Sequence, residues 1–283
     1  MFADRYADLA DQMAAREESK ERSGELQKIA KICRNVPRHP AKTFHEAVQS
    51  LYFIHLVAQI ETGGNSVSLG RIDQILYPFY KEDMKAGILT KDTAKELIAL
   101  LFLKTNEIWN VLEEAYIPGG EGTEGKTTQN VTVGGVLENG EDGINDLSHI
   151  VLEAYADIRT VQPNFSVRLC DKSPEPFFLK AITYCKDGVL LHLFNDETIV
   201  KTLVNAGHTL EDARNYGVVG CLEPNAQGKS FGSTFAVQFN AVKCLEFALS
   251  NGIDNIFGYV SGLETGEAEQ FTNFEHVFEA YAR

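Results

Sequence analysis

The sequence lacks a basic cluster of the kind that binds phosphate. Its 283 residues include 40 Asp and Glu against 26 Lys and Arg, for a formal net charge of −14. Contacts to a nucleic-acid backbone need clustered Lys and Arg, so nucleic acid is not expected as a partner. Residues 1–13 lack a basic segment followed by an apolar one, and the longest apolar runs are far shorter than the ~20 residues of a membrane span. We therefore expect a cytoplasmic protein without a membrane partner.

Cysteine is scarce and scattered. The five cysteines include no C-x-x-C pair, so a structural zinc site or a redox dithiol is disfavoured, and no bound metal is expected. A lone cysteine in the cytoplasm is usually a small buried thiol. We expect this ordinary role for every cysteine except Cys221, that is, for Cys33, Cys170, Cys185 and Cys244.

Helical and strand-like segments alternate along the chain. Residues 4–33 and 93–112 are rich in helix-favouring residues, whereas residues 130–137, 164–169 and 189–194 are short and either β-branched or apolar. Further helices are expected at residues 146–159, 174–186, 197–205, 210–216 and 235–251. With 44% hydrophobic residues, the chain can bury a sizeable core. The alternation predicts an α/β fold in one unit, with a barrel as the leading architecture.

The second predicted helix has a clear start signal. Thr43 followed by Glu46 is typical of a capping box, with Thr43 as the N-cap residue. The helix is expected to run to about Glu61. Apolar residues occur on most of its faces, so we expect the whole helix to be buried.

The most informative segment is the strand predicted at residues 218–222, which is expected to end in a turn. Gly220 permits a sharp bend and a close approach of other backbone. Pro224 forces Glu223 toward extended geometry. Side chains alternate along an extended segment, so Cys221 and Glu223 are expected on the same face. The sequence thus places a thiol beside a carboxylate.

This pairing does not suit polar nucleophilic chemistry. A neighbouring negative charge disfavours the thiolate of Cys221, and no basic residue lies nearby in the sequence to activate it. A thiyl radical needs no ionisation: it can take a hydrogen atom from a substrate carbon while Glu223 acts as base or acid. On spacing alone, however, a buried cysteine beside a surface glutamate is the more common arrangement.

The same residues carry a resemblance to a known family. The letters G-C-L-E-P at residues 220–224 resemble the cysteine-loop signature of glycyl radical enzymes, the superfamily of pyruvate formate-lyase. Other segments are similar to family motifs in the expected order: T-F-x-E-A-x-Q-S at residues 43–50, G-R-x-D-Q at 70–74, Q-P-x-x-S-V-R at 162–168 and N-D-E at 195–197. The resemblance spans nearly the whole chain.

The resemblance implies a fold and a site. Residues 1–283 would form a single pyruvate formate-lyase-like domain, an incomplete part of a ten-stranded barrel surrounded by helices. Cys221 would be the catalytic thiyl residue and Glu223 the catalytic base or acid. The candidate substrate-binding residues are Asn65, Ser66, His192 and Phe235. An ordinary core role is an equal alternative for the histidine and the phenylalanine.

The resemblance also implies partners. In family members, an activating enzyme that uses S-adenosylmethionine and an iron–sulfur cluster installs a glycyl radical near the carboxyl terminus, and the radical is relayed to the cysteine. The sequence contains no R-V-x-G-Y-like motif, so we expect the glycine radical domain in a segment outside residues 1–283. No cofactor is expected to bind this chain directly. The intact enzyme is expected to be a homodimer of anaerobic metabolism.

Departures from the family narrow the reaction. Pyruvate formate-lyase uses two adjacent cysteines, but Cys221 has no cysteine beside it. Arylalkylsuccinate synthases generally lack the glutamate that stands here as Glu223, so eliminases and decarboxylases of small organic substrates remain. Diol dehydratases have an Asp where this chain has Phe235, and a His where it has Asn65. These differences disfavour glycerol or propanediol and leave a carboxylated or aromatic substrate as the alternative.

Two hypotheses therefore stand. In the first, the chain contributes part of the barrel of a glycyl radical lyase, and the isolated chain is inactive. In the second, the chain is a non-catalytic or split-gene fragment that needs a complementing chain. A neighbouring reading frame that encodes an R-V-x-G-Y motif would favour the first hypothesis.

Overall fold

The protein divides into two compact units, Met1–Thr234 and Phe235–Arg283. The structure is a computed structural model that describes residues 2–62, 66–108, 128–230 and 240–283. Within these ranges, no helix is both long and apolar enough to cross a membrane. The expectation that residues 1–283 form one partial barrel domain stays a prediction.

The first unit alternates helices and strands. Its helices are α1 Phe2–Arg16, α2 Lys20–Asn35, α3 Phe44–Thr62, α4 Ile72–Ile75, α5 Tyr77–Lys85, α6 Lys91–Asn106, α7 Asp146–Ile158, α8 Glu175–Lys186, α9 Asp196–Asn205 and α10 Leu210–Arg214. Its strands are β1 Gly70–Arg71, β2 Asn130–Gly134, β3 Asn164–Leu169, β4 His192–Asn195, β5 Tyr216–Val219 and β6 Glu223–Ala226. This alternation confirms the predicted α/β class.

Strands β1 to β4 form a parallel sheet in chain order. The register aligns Thr132 with Ser166, and Ser166 with His192. Helices connect each strand to the next, as parallel neighbours require. The strand predicted at residues 164–169 is confirmed at both ends, because β3 has these bounds.

The sheet has one apolar face and one polar face, since side chains alternate along each strand. The apolar face packs against α6 and α7, and its side chains on the two central strands are fully buried: Val131, Val133, Phe165 and Val167. Phe165 stacks on Tyr155 of α7, with ring centroids 4.5 Å apart. Burying each such side chain contributes roughly 1.5–3 kcal/mol. The helices thus fix the strands and leave the polar face for the candidate site.

The helices near the amino terminus differ in part from the prediction. The helical stretch expected over residues 4–33 is broken, because the Ser19 side chain caps the first turn of a new helix, α2. The start of α3 follows the prediction: the Thr43 hydroxyl accepts a hydrogen bond from the Glu46 N–H at 3.2 Å. The second half of the predicted capping box differs, because the Glu46 carboxylate accepts from the Lys42 N–H at 2.7 Å and not from the N–H of Thr43.

The expectation that the whole of α3 is buried is wrong. The helix packs against α2, α5 and α6, and Phe53 and His55 are buried. Ile54 and Ile60 are nevertheless 58% and 67% exposed. Apolar residues on all faces make a helix able to be buried, but the neighbouring elements decide which faces are covered.

The strand predicted at residues 218–222 is instead the first half of a hairpin. Strand β5 ends at Val219, the chain reverses, and β6 begins at Glu223, which pairs with Val219 in an antiparallel register. The reversal depends on Gly220, whose φ of +61° lies in the left-handed region. Cys221 therefore lies in the turn, as the bend expected at Gly220 predicts. The prediction that Cys221 and Glu223 belong to one extended segment is wrong, because β6 begins at Glu223.

Two other predicted boundaries are also corrected. The strand expected at residues 189–194 begins only at His192. The helix expected at residues 210–216 stops at Arg214, so Tyr216 belongs to β5. In both cases, pairing with neighbouring strands sets the bounds more than local composition does.

The second unit is helical in much of its described part. It contains α11 Ala241–Leu249, a short 3-10 helix at Ala268–Gln270 and α12 Phe274–Ala282. The Asn240 side chain caps α11 by accepting a hydrogen bond from the Lys243 N–H at 3.0 Å. The start predicted for this helix, at residue 235, lies outside the described residues.

Candidate active site

The polar face of the parallel sheet carries three rows of side chains. Residues in register on neighbouring strands point to the same side of a sheet. The rows, in order along the strands, are Asn130 with Asn164, then Arg71 with Thr132, Ser166 and His192, then Gly134 with Arg168 and the apolar Phe194. Such a face is unusual in a parallel sheet, which is normally apolar on both sides. It indicates that the face binds something polar.

The β5–β6 hairpin lies across this polar face. Arg168 in the third row donates a hydrogen bond to the Tyr216 carbonyl at 2.6 Å, and Thr132 in the second row accepts from the Val218 N–H at 2.9 Å. The turn after β5 lies at the first row. Strand β5 thus runs opposite to the sheet strands and carries Cys221 to their amino-terminal ends.

The turn at the tip of the hairpin is held through its backbone. The Asn130 side-chain amide donates to the Gly220 carbonyl at 3.2 Å and to the Cys221 carbonyl at 3.4 Å. The Asn164 side-chain amide also donates to the Gly220 carbonyl, at 3.3 Å. Ser68 Oγ accepts from the Gly220 N–H at 3.2 Å. Both polar groups of the Gly220 backbone are therefore bound, and the neighbouring cysteine is fixed in place.

The Glu223 carboxylate folds back over the turn. Its Oε2 atom accepts a hydrogen bond from the Leu222 N–H at 2.8 Å. The same oxygen lies 2.9 Å from the point where a Cβ on Gly220 would stand, and Ser66 Oγ lies 3.0 Å from that point. A carboxylate and a hydroxyl therefore converge beside Gly220, the residue before the cysteine, in space that only a glycine leaves open.

Ser66 is buried and has an unusual backbone conformation. Its φ is +62°, in the left-handed region that residues with a Cβ rarely adopt. Its carbonyl accepts from Ser68 Oγ at 3.1 Å, and its own Oγ lies 3.1 Å from Thr128 Oγ1. Such strained conformations persist when surrounding contacts hold them, and they cluster at functional sites.

His192 lies in the second row, next to the cysteine turn. Burial lowers the pKa of its imidazole from the usual 6.5, and a hydrogen bond to the backbone of Cys221 only partly offsets this effect. The neutral ring is thereby favoured, and it can both donate and accept. Its Nδ1 atom is buried without a hydrogen-bond partner among the described residues.

A buried ion pair holds the base of the hairpin. Arg168 and Asp196 are 0% and 1% exposed and are joined by two hydrogen bonds of 3.0 and 2.7 Å. The Tyr216 hydroxyl donates to the same carboxylate at 2.7 Å, and its ring centroid lies 3.6 Å from the guanidinium carbon of Arg168. Burial raises the pKa of Tyr216, so its hydroxyl stays a donor. This bidentate geometry is the strongest that an arginine makes with a carboxylate.

A second buried arginine lies beside the first. Arg71, in β1, donates to the Gly134 carbonyl at 2.9 Å and to the Asn215 side chain at 3.2 Å. Burial, followed by the charge of Arg168, lowers the pKa of Arg71 to about 10. The arginine connects two sheet strands to the residue that precedes the hairpin.

A cavity of about 400 Å³ lies alongside strands β5 and β6, and neither Cys221 nor Glu223 is among the residues that line it. Ser66 and Ser68 line one side of it, and Val219, Asn225 and Gln227 line another. This volume is sufficient for a small organic molecule.

The structure brings four of the predicted site residues together and leaves two outside its description. Cys221, Glu223, Ser66 and His192 lie at or next to the hairpin tip. Asn65 and Phe235 lie outside the described residues. In the part of the chain that the structure describes, no group of three or more His, Cys, Asp or Glu side chains could hold a metal ion.

Sequence reasoning missed the residues that hold the turn, which are Ser68, Asn130, Thr132 and Asn164. A signal was present for those in the strands. In N-V-T-V-G and N-F-S-V-R-L, polar residues occupy the alternate positions, except that a glycine takes the last one in the first segment. Because both faces of a parallel sheet are covered, polar residues on the second face need buried hydrogen-bond partners. The partners here are backbone groups of the hairpin.

Comparison with known proteins agrees with the cysteine-loop resemblance. The family model described as pyruvate formate lyase-like matches residues 1–283. The chain is 35% identical to a trans-4-hydroxy-L-proline dehydratase of Clostridioides difficile, over 99% of this chain and 35% of that protein. It also matches a solved protein structure that concerns 1,2-propanediol dehydration in Roseburia inulinivorans. The TM-score is 0.91 and the identity 39%, over 99% of this chain and 35% of that chain.

Another structural match is a glycyl radical enzyme from Archaeoglobus fulgidus, with a TM-score of 0.90 and 38% identity, over 99% of this chain and 36% of that chain. The chain thus spans about a third of the length of the relatives it matches. The predicted fold, a part of the glycyl radical enzyme barrel with a parallel sheet surrounded by helices, is confirmed. On this evidence the chain belongs to the pyruvate formate lyase-like family of glycyl radical enzymes.

Proposed function

We propose that this chain supplies the cysteine-loop part of a glycyl radical lyase that acts on a small organic substrate. Among eliminases and decarboxylases, we favour an eliminase, because the relatives named above carry out dehydration. The observation that carries the proposal is the geometry of the hairpin tip. The Cys221 turn is fixed by backbone hydrogen bonds, and the Glu223 carboxylate folds back beside it.

The first proposed step concerns Cys221. The glycyl radical, expected in a segment outside residues 1–283, supplies one-electron chemistry by accepting the hydrogen atom of a thiol. The resulting sulfur radical takes a hydrogen atom from a substrate carbon, so one S–H bond forms and one C–H bond breaks. This atom transfer starts from the protonated thiol and not from the thiolate, which has no S–H bond to give.

The second proposed step concerns Glu223. Its carboxylate accepts the proton of a hydroxyl or ammonium group on the carbon that has lost a hydrogen atom. The lone pair left on that group expels the leaving group from the adjacent carbon. The leaving group departs with its bonding electron pair and, where it is hydroxide, takes the proton back from Glu223 and leaves as water. The remaining carbon radical then takes a hydrogen atom back from Cys221. Cys221 follows Gly220, and the Glu223 carboxylate lies beside that glycine, so we propose that the two groups act on adjacent atoms of one substrate.

Ser66 and His192 are proposed to bind the substrate by hydrogen bonds. The Ser66 hydroxyl converges with the Glu223 carboxylate above the turn. The neutral His192 ring offers a buried nitrogen without a partner among the described residues. Asn65 and Phe235 stay predictions of substrate-binding residues, since they lie outside the described ranges.

The partners and setting are also proposals. We propose activation by an enzyme that uses S-adenosylmethionine and an iron–sulfur cluster, a homodimeric intact enzyme, and a cytoplasmic location. The chain itself is proposed to bind no cofactor. The family to which it belongs supports the first of these, because a glycyl radical has to be installed.

The test is a Cys221→Ala substitution in the complete protein that carries this chain, activated without oxygen. Wild-type protein is screened against trans-4-hydroxy-L-proline and 1,2-propanediol, the compounds named for the relatives above. Of the two, the carboxylated compound is the expected substrate, because Phe235 and Asn65 disfavour propanediol. The variant should lose all turnover but keep its glycyl radical signal. Cys185→Ala, which removes another partly buried thiol, is the control and should stay active. Turnover by Cys221→Ala above a trace would overturn the proposal.

The alternative, a fragment that needs a complementing chain, is separated by electron paramagnetic resonance. Residues 1–283 alone, incubated with the activating enzyme, should give no glycyl doublet. Addition of a chain that carries the radical glycine should restore both the doublet and turnover if the alternative holds. A doublet from residues 1–283 alone would contradict the expectation that the radical glycine lies elsewhere.

A further inference from the structure

The hydroxyl of Ser68 occupies a junction between three segments of the first unit. It accepts hydrogen bonds from the Gly220 N–H at 3.2 Å and from the Asn130 N–H at 3.1 Å, and it donates to the Ser66 carbonyl at 3.1 Å. A serine hydroxyl has one donor and two acceptor positions, and here all three are used. A single oxygen thus joins the cysteine turn, the start of β2 and the strained Ser66.

We propose that Ser68 is a positioning residue that sets the distance between the Cys221 turn and the substrate-binding Ser66. The inference rests on the function proposed above and deepens it. Ser68 touches neither the thiol nor the carboxylate through the hydrogen bonds described. It acts by holding the backbone of the turn on one side and the carbonyl of Ser66 on the other.

The geometry around Gly220 indicates that the distance between the Cys221 turn and Ser66 affects the proposed reaction. The Ser66 hydroxyl and the Glu223 carboxylate both lie within about 3 Å of the point where a Gly220 Cβ would stand. A shift of either segment would move the hydroxyl relative to the carboxylate and the thiol. Misplacement by about 1 Å can reduce a rate by roughly 100-fold.

The turn has further contacts that keep it folded when Ser68 is altered. The Gly220 carbonyl accepts from both Asn130 and Asn164, and Thr132 accepts from the Val218 N–H. Removal of the Ser68 hydroxyl should therefore loosen one side of the turn without releasing the hairpin. This separation makes a positioning role distinguishable from a purely structural one.

The Ser66 conformation depends on the same hydroxyl. Its positive φ is strained, and its carbonyl is held by Ser68. Gln59 also donates to the carbonyl between the two serines, that of Val67, at 3.2 Å. The side chains of Gln59 and Ser68 thus hold the backbone of residues 66–67. Of these two side chains, it is that of Ser68 that also binds the cysteine turn.

The first test is independent of any substrate. Amide hydrogen exchange is measured for the Gly220 N–H in the complete protein that carries this chain, kept unactivated and without oxygen. Loss of the acceptor in Ser68→Ala should speed exchange roughly fivefold, and Ser68→Thr, which keeps a hydroxyl, should restore it. Ser173→Ala, which removes another partly buried serine hydroxyl, should leave it unchanged. Equal exchange in wild type and Ser68→Ala would overturn the proposal.

The second test uses the activated protein and whichever of the two compounds above is turned over. Ser68→Ala should lower kcat by about 10- to 100-fold with a smaller change in KM, and Ser68→Thr should recover most of it. The isotope effect for substrate deuterated at the reacting carbon should increase, because hydrogen transfer becomes slower than the other steps. A variant that is merely less folded would show lower activity with an unchanged isotope effect, and this result would overturn the proposal.

Failure of this inference is distinct from failure of the proposed function. If Cys221→Ala remains active, the proposed function fails. If Cys221→Ala is inactive but Ser68→Ala matches wild type in exchange and isotope effect, only the positioning role of Ser68 fails.

Discussion

The two ends of the β5–β6 hairpin are held by different chemistry. At the base, a fully buried Arg168–Asp196 ion pair binds the backbone and hydroxyl of Tyr216. At the tip, the described contacts to Gly220 come from neutral groups, the amides of Asn130 and Asn164 among them. The two ends belong to one short hairpin, so the difference is not one of fold.

The comparison teaches where charge is useful. A buried ion pair costs desolvation, but once formed it resists the loss of either partner, which suits a fixed base. A cation beside the tip would favour the thiolate of Cys221. The thiolate has no S–H bond and could not take part in the proposed hydrogen-atom transfer. Neutral donors position the turn without this effect. We infer that the base supplies rigidity and that the tip supplies position.

The largest effect is expected from breaking the base. Arg168→Met should leave Asp196 charged, buried and unpaired, and lower the free energy of unfolding by about 3–5 kcal/mol. Arg34→Met is the control, because Arg34 is 48% exposed and pairs with Asp8 and Asp11 at the surface. That change should cost at most about 1 kcal/mol. Urea unfolding measures both, and equal losses would show that the buried pair is not special.

At the tip, Gly220→Ala should reduce activity far more than stability. The new Cβ would stand 2.9 Å from Glu223 Oε2 and 3.0 Å from Ser66 Oγ. Gly188→Ala is a matched control, since Gly188 also has positive φ but no atom within 4 Å of the point where its Cβ would stand. Both changes should cost about 1–2 kcal/mol of unfolding free energy.

Turnover separates the two glycine variants. Displacement of the carboxylate should slow Gly220→Ala by roughly 100-fold, while Gly188→Ala should keep most of its activity. If both variants lost activity equally, backbone strain rather than crowding beside the cysteine would be the cause.

A smaller effect is expected from each asparagine at the tip. Asn130→Ala and Asn164→Ala each remove one of two donors to the Gly220 carbonyl, and each should cost about 0.5–1.5 kcal/mol of unfolding free energy. The remaining amide can still hold the carbonyl, so the double variant should lose more than the sum of the single losses. A double-mutant cycle measured by urea unfolding checks this. Strict additivity would show that the two amides act independently.

The smallest effect concerns His192 and pH. Burial lowers the pKa of His192 in the folded state below its usual 6.5, so as the pH falls the unfolded chain binds the proton first. The contribution of His192 to stability is therefore present above pH 6.5. It is lost as the pH falls from 6.5 through the lower pKa of His192 in the folded state. His192→Gln should make stability less sensitive to pH between about pH 8 and about pH 5.5. Urea midpoints that fall equally in variant and wild type would contradict this.

The local features of the fold could be predicted where short-range physics decides them. The bounds of β3 follow from a β-branched and aromatic segment between turn residues, and the start of α3 follows from the Thr43 cap. The resemblance of residues 220–224 to the cysteine loop of the family follows from the residue types and their order. The bending at Gly220 was also expected, because glycine permits it.

Other features depend on contacts that the linear pattern does not contain. β6 was missed because E-P-N-A has little strand propensity and becomes a strand by pairing with β5. The exposure of Ile54 depends on which neighbours α3 finds. The role of Ser68 arises from the approach of three segments that are distant in sequence, including Asn130 and Gly220.

The way in which the turn is anchored has a consequence for evolution. Peptide N–H and C=O groups are common to almost every residue, and the described hydrogen bonds of the turn to Asn130, Asn164 and Ser68 use only such groups. Leu222, next to the cysteine, is 54% exposed. Its side chain can therefore be exchanged without relocating the sulfur. A lineage built on this hairpin can change the surroundings of the thiol, and with them the proposed substrate preference, while the sulfur keeps its position.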